Sequence, residues 1–210
     1  FFLPGQELTL WGDPALDWEP VGFIYDGVVT DGDQLDLTFP AQDITVTALF
    51  APLTYDVWRE AMFDHFNGLT GTANDHTDPA VSDPSVDHDH DGLINQAEYA
   101  FGCDPYTPDS PRAALEIGSV TVSNVAYPAV RFRRNGCPPD FSDIVWTVRY
   151  STDLVNWFDN ETHFPSLITE EVGTERQADG TEFVTVRATT PLSATGGRVF
   201  FQVRVTEFGS

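Results

Sequence analysis

Residues 87–105 read DHDHDGLINQAEYAFGCDP. Asp87, Asp89 and Asp91 alternate with two histidines, and Glu98 follows shortly after. Carboxylates this close repel one another, and nothing adjacent in the sequence neutralises them, so the stretch implies a cation. Its pattern is D-x-[DN]-x-[DN]-G-x5-E, the signature of a calcium loop. Asp87, Asp89 and Asp91 take the first, third and fifth loop positions. Gly92 takes the sixth, where the sharp turn needs positive φ. Leu93 offers its backbone carbonyl, Asn95 reaches the metal directly or through water, and Glu98 is placed to bind bidentately. An all-oxygen set suits Ca²⁺, which takes about six to eight oxygens, better than Mg²⁺ with its stricter octahedron. Ile94 is expected to tie the loop to a core. His88 and His90 fall at the outward positions. With no cysteine beside them and no HExxH motif, they read as exposed loop residues rather than zinc ligands.

The flanks narrow the type of loop. Pro84 bars a helix running into it, whereas INQAEYAF, residues 94–101, predicts a short exiting helix with Ile94, Ala97 and Phe101 on one face. Gly102 is its expected C′ residue and Pro105 prevents continuation. A paired sensor EF-hand needs a second loop and a helix before each loop. Residues 74–78, NDHTD, have oxygens but lack the glycine and the glutamate.

Outward from the loop, the period changes twice. Residues 54–66 predict a helix with Thr54 as N-cap and Tyr55, Trp58, Met62 and Phe66 near one face, ended by Asn67-Gly68. Residues 67–86, rich in Gly, Pro, Asp and Thr, read as an ordered loop or linker. Residues 1–50 alternate instead, with Leu8/Leu10, Leu35/Leu37/Phe39 and Ile44/Val46/Ala48 each on one strand face. After residue 112, YPAVRFRR, IVWTVRYS, EFVTVRAT and RVFFQVRVTE predict an antiparallel β-sandwich in which Trp146, Val148 and Tyr150 share a face. The fold class is therefore mainly β. Its expected parts are a β-rich repeat at 1–52, a helix plus calcium-loop module at 53–111 and a sandwich at 112–210.

The formal net charge of −23 disfavours nucleic acid and anionic membrane surfaces as partners. All ten basic residues are arginine, which excludes a P-loop or Schiff-base lysine. No apolar run reaches the roughly 20 residues of a membrane span. The opening FFLPGQ, without methionine, reads as a cut from a longer polypeptide, and the terminal EFGS as native or a cloning remnant.

Residues 78–105 resemble a module found near the C-termini of large secreted or surface proteins of aquatic bacteria, in which D-x-D-x-DGL-x-N-x-x-EYAFG-x-DP follows an aromatic helix. Its calcium loop resembles the single loops of dockerins and thrombospondin type 3 repeats. The resemblance extends over residues 54–207, through RYSTDLVNW and RVFFQVRV. Residues 5–50, ending TFPAQDITVTALF, resemble a truncated internalin-type B-repeat. These resemblances imply a non-catalytic segment, secreted or at the cell surface, attached to a larger upstream polypeptide. They carry Ca²⁺ ligands to Asp87, Asp89, Asp91, Leu93, Asn95 and Glu98, and no catalytic residue. Cys103 stands where the pattern more often has an apolar residue.

The two cysteines, Cys103 and Cys137, both sit in turn-like contexts with flanks that read as exposed. A secreted location would permit a disulfide between them, against two separate buried thiols. Trp58 and Trp146 read as core; Trp11, Trp18 and Trp157 are left open between core and sugar stacking. Arg131 and Arg133 share a strand face and are expected to pair with carboxylates. No nucleophile elbow or metal-hydrolase motif is present. Two functions follow: a calcium-stabilised structural or adhesive segment, or a carbohydrate-binding module delivering an upstream polysaccharide-degrading enzyme, with a cell-surface or polysaccharide partner.

Overall fold

Alternation governs the first fifty residues, and strands form where it runs. The computed structural model describes residues 5–12, 18–38, 44–52, 54–65, 76–136 and 143–207. In it, β1 (Glu7–Trp11) and β4 (Gln34–Thr38) pair antiparallel, and β2 (Trp18–Tyr25) lies between β3 (Val28–Asp31) and β5 (Val46–Pro52). Leu35 and Leu37 are buried with Phe23, and Leu10, Ile44, Val46 and Ala48 pack around them. The predicted inward faces are thus the observed ones; Phe39 lies outside the described residues. β3 is an addition. It is a largely exposed strand, so it has no apolar alternation to signal it. Its cause is Asp26-Gly27, both at positive φ (50° and 75°), the two-residue turn whose twist suits a hairpin.

The aromatic helix begins where expected. Thr54 Oγ1 accepts the Val57 amide at 3.3 Å, capping α1 (Tyr55–Glu60). The chain then winds into a π turn over Ala61–His65. The wider turn rotates the face, so Phe63 is fully buried with Tyr55 and Trp58 while Met62 moves to the margin. Phe66 and Asn67-Gly68 lie outside the described residues. Part of the predicted loop is helical: α2 (Pro79–Ser82) is a single turn, with Asp78 Oδ1 accepting the Ala80 amide at 2.9 Å and Pro79 at the first position. It ends before Pro84, so no helix runs into the acidic loop. The exiting helix, α3 (Asn95–Phe101), is present.

Beyond residue 112, β6 (Glu116–Val122), β7 (Val125–Arg134), β10 (Glu182–Ala188) and β9 (Thr169–Arg176) form one antiparallel sheet in that order, and β8 (Ile144–Ser151) pairs with β11 (Phe200–Glu207). The architecture is mainly β, as predicted. Val130 and Phe132 of β7, Val184 and Val186 of β10, and Val148 of β8 form the core between the two sheets. Trp146 packs on Phe132 and on Phe101 of α3, with ring centroids 5.5 and 5.4 Å away. Each fully buried valine or phenylalanine of this core contributes about 1.5–3 kcal/mol of apolar transfer. β6 and β9 are the strands that sequence alternation misses, because both are mostly exposed edges.

Gly102 closes α3 in the left-handed region, at φ 66°, and its amide returns to the helix. A Cβ there would also run into Thr181 Cγ2 of the sandwich. Gly102→Ala is therefore expected to destabilise the protein by about 1–3 kcal/mol, combining left-handed strain with the clash. A fall of several degrees in melting temperature, measured by calorimetry, checks this.

A candidate metal centre on the acidic loop

The loop is shaped by its own carboxylates. Gly92 N donates to Asp87 Oδ2 at 3.1 Å, Asp91 N to Asp89 Oδ1 at 3.1 Å, and Leu93 N to Asp91 Oδ1 at 2.9 Å. Each bond folds the chain over the preceding aspartate, and Gly92 takes φ 99° as its loop position demands. The neck is closed by main chain: Asn95 N donates to Val86 O at 2.7 Å and Gln96 N to Pro84 O at 3.0 Å. These bonds also satisfy the first amides of α3, whose N-cap, Ile94, has no side chain able to do so.

The result is a convergence of oxygens. Asp87, Asp89 and Asp91 each place one ligand atom within 4.8 Å of the others. Glu98 is not part of that tight group, but α3 turns it toward the same space: it is fully buried, and both its oxygens lack a hydrogen-bond partner. Asp87 Oδ1 and Asp89 Oδ2 are likewise shielded from solvent and unpartnered. Burial, reinforced by the charges of Asp89, Asp91, Asp109 and Asp87, pushes the Glu98 carboxyl up to about 8. Burial chiefly raises Asp89 as well. Leaving a buried carboxyl group unsatisfied costs at least about 1–3 kcal/mol, and more when it is charged. A cation removes that cost, and the donors are hard oxygens without nitrogen or sulfur, so the residues present fit Ca²⁺.

Two further predicted ligands are placed less directly. Leu93 follows the turn, with its amide on Asp91. Asn95 is fully buried, and its Nδ2 donates to Val81 O at 2.8 Å and Asp83 O at 3.0 Å. Its amide thus holds the segment before the loop, while Oδ1 stays shielded and unpartnered.

Three expectations are corrected. Ile94 does not anchor the loop: it is 39% exposed, because the inward stripe of α3 is set by Asn95, Glu98 and Tyr99. His88 does not point outward. Its ring packs edge-on against Tyr106 at 4.9 Å and Phe63 at 5.8 Å, which joins the loop to the aromatic cluster; His90, at φ 64°, is the exposed one. The flank of Cys103 is not exposed either. The thiol is buried, and burial together with Asp109 pushes it well above the usual range. Cys137 lies outside the described residues.

The site is braced from behind. Tyr99 Oη donates to Asp143 Oδ1 at 3.0 Å and Tyr55 N to Asp143 Oδ2 at 2.8 Å, so one carboxylate at the start of β8 holds both α1 and α3. Tyr55 Oη donates to Ser82 O at 2.9 Å. No sequence motif marks Asp143 for this role, since its partners lie far away in the chain.

Beside β8, by contrast, polar groups are paired with each other. A cleft of about 370 Å³ beside β8 is lined by Arg134, Glu171, Glu161, Thr147 and Asn160. There Arg134 donates to Glu182 at 2.7 Å and Glu171 at 3.1 Å, Thr147 to Glu161, and Asn160 is bonded to the backbone at residues 168 and 169. Arg131 and Arg133 share a face as predicted, pair with Glu116, Glu175 and Asp179, and lie over the Phe183 ring. Comparison with known proteins finds no matching family profile, no matching curated protein and no matching solved structure.

The weakened acidity of Glu98 fixes a sign for pH. Below about pH 8 the metal-free carboxyl holds its proton, which a binding cation must displace. Calcium uptake at pH 7 is therefore expected to release up to one proton, and affinity to fall as pH drops below 8 and level off above it. Calorimetric titration in buffers of different ionisation enthalpy measures the proton count; a count of zero at pH 7 contradicts the assignment of Glu98.

Proposed function

We propose that the chain is a non-catalytic, calcium-stabilised structural or adhesive segment of a larger extracellular protein. The observation that carries this reading is Glu98: a fully buried carboxylate with no hydrogen-bond partner, facing Asp87, Asp89 and Asp91. Ca²⁺ is held by Asp87, Asp89, Asp91 and Glu98, with Leu93 O and Asn95 Oδ1 completing the set. Its effect is to order the loop between the aromatic cluster around Tyr55, Trp58 and Tyr99 and the sandwich. The resemblance of the calcium stretch to modules of secreted bacterial proteins supports the extracellular setting, where Ca²⁺ is plentiful.

The carbohydrate-binding alternative has less behind it. Trp58 is buried and Trp146 packs in the core. On the sandwich, three aromatic faces are covered by guanidinium groups, Arg149 over Trp157 at 5.0 Å, Arg187 over Tyr127 at 4.3 Å and Arg131 over Phe183 at 3.8 Å, while Phe164 is exposed. A sugar would have to displace these cations. Trp11, at 64% exposure, sits instead on β1. The mutual pairing of the cleft residues beside β8 supports a scaffold role for them.

At millimolar calcium, a site of roughly 10⁻⁴ M adds about 1.4 kcal/mol and one of roughly 10⁻⁶ M about 4 kcal/mol. Excess EDTA is thus expected to lower the melting temperature by about 3–15 °C for a chain of this size. Glu98→Gln should abolish that calcium dependence, and at neutral pH its metal-free form should melt no lower than the metal-free wild type, because glutamine is as neutral as the protonated carboxyl it replaces. Identical melting curves with calcium and with EDTA would sink the proposal.

The expected bridge between Cys103 and Cys137 is part of the same proposal. Asn135, whose amide donates to Ala100 O at 2.6 Å, lines the same cleft as Cys103, so the strand leading to residue 137 ends beside it. A non-reduced digest should yield the two linked peptides by mass spectrometry. Two thiols that alkylate freely in the unfolded, unreduced protein would exclude the bridge.

A further inference from the structure

Asp109 lies outside the twelve-residue loop pattern, and nothing in the sequence marks it as a ligand. In the fold it returns to the loop. Ser110 N donates to Asp91 Oδ2 at 2.6 Å, which clamps the Asp109–Ser110 peptide onto the fifth loop position. The Asp109 side chain is 13% exposed, and its charge acts on both Glu98 and Asp89. Asp109 also occupies the N-cap position of the 3-10 turn Ser110–Ala113, yet makes no capping bond. Its Oδ2 accepts from Arg112 Nη1 at 3.1 Å, and Oδ1 is shielded from solvent without a partner. Arg112 in turn donates through Nη2 to Asp179 Oδ2 at 2.7 Å, in the connection between β9 and β10.

We propose that Asp109 is an additional carboxylate of the metal site, contributing Oδ1 to the ion while Oδ2 remains on Arg112. This rests on the calcium reading of residues 87–98 and extends it. The fully buried, unpartnered Glu98 is the independent sign that a cation belongs in this space. Asp109 adds a fifth carboxylate to those of Asp87, Asp89, Asp91 and Glu98. The arrangement also gives the ion a path of contacts into the sandwich, from Asp109 through Arg112 to Asp179, which Arg133 holds from β7.

The test separates a ligand from a mere ion-pair partner. Calcium affinity of the full chain is measured by calorimetric titration for the wild type, Asp109→Asn, Arg112→Gln and, as a charge-matched control, Asp56→Asn, whose side chain is 79% exposed. Asp109→Asn is expected to weaken binding at least about tenfold, since ligand charge sets affinity in such loops. Arg112→Gln removes the cation that competes for Asp109 and is expected to bind calcium at least as tightly as the wild type. Asp56→Asn should stay within about twofold, the scale of a distant screened charge. Wild-type affinity in Asp109→Asn would overturn the inference, as would equal losses in Asp109→Asn and Arg112→Gln, because the residue would then act only through its ion pair. A wild type that binds no calcium at all would instead remove the underlying reading of the loop.

Discussion

The burial of Glu98 among aspartates is the constraint around which the middle of this protein is arranged. An isolated carboxylate avoids such a place. Here α3 leaves it no alternative, because Tyr99 must reach Asp143 and Ala100 must meet Asn135, and those contacts fix the rotation of a seven-residue helix. Once the rotation is set, Asn95 and Glu98 face inward with Tyr99. The loop then brings Asp87 and Asp89 to the same point, each with one oxygen tied to backbone and the other unpartnered. The carboxyl groups are therefore held together by packing rather than by mutual attraction, which is the basis on which a cation is proposed as their counterpart.

That geometry also explains why a short loop module can influence a larger body. The aromatic cluster of Tyr55, Trp58, Phe63 and Tyr99 touches the loop through His88 and Tyr106, and touches β8 through Ile144 and Asp143. On its other side, Phe101 reaches the sandwich core through Trp146. Successive residues of one helix thus serve the loop, the aromatic cluster and the sandwich. Ordering the loop restricts α3, and restricting α3 constrains both of its neighbours. The proposed calcium, acting there, would work through conformational entropy as much as through bonds.

Much of this was legible in the chain, for identifiable reasons. The turn geometry of the loop and of the end of α3 shows itself because Gly92 and Gly102 take backbone angles that exclude most other residues. Strands with one buried face, such as those carrying Leu35 and Leu37 or Val184 and Val186, show themselves by alternation. What stayed hidden lacks such local demands. The edge strands β3, β6 and β9 bury too little to impose a pattern. The π turn after α1 swaps Met62 for Phe63 without any sequence sign. Ile94 misled because its apolar character fits a paired loop, where it would have a partner; here α3 turns Glu98 inward instead. Asp109 and Asp143 act across long separations, and no spacing rule reaches that far.

The charge composition bears on the same site. With 33 acidic residues against ten arginines, most carboxylates cannot have a cationic partner from the chain itself. The described arginines are concentrated on the sandwich. Arg134 and Arg176 share the buried Glu182, and Arg131, Arg133 and Arg187 pair across the sheet with Glu116, Glu175, Asp179 and Glu170. Planar guanidinium forks suit these strand-to-strand pairs and stack on Phe183 and Tyr127 at the same time, which a lysine ammonium does less well. Around the loop, among the described residues, Arg112 pairs with Asp109 and is shared with Asp179. The sandwich thus draws most of its positive charge from within, whereas the loop has little of its own. On the proposed calcium reading, the surrounding negative field both raises the local concentration of divalent cations and destabilises the loop without one, so that the same acidic excess would set the affinity and the need for it.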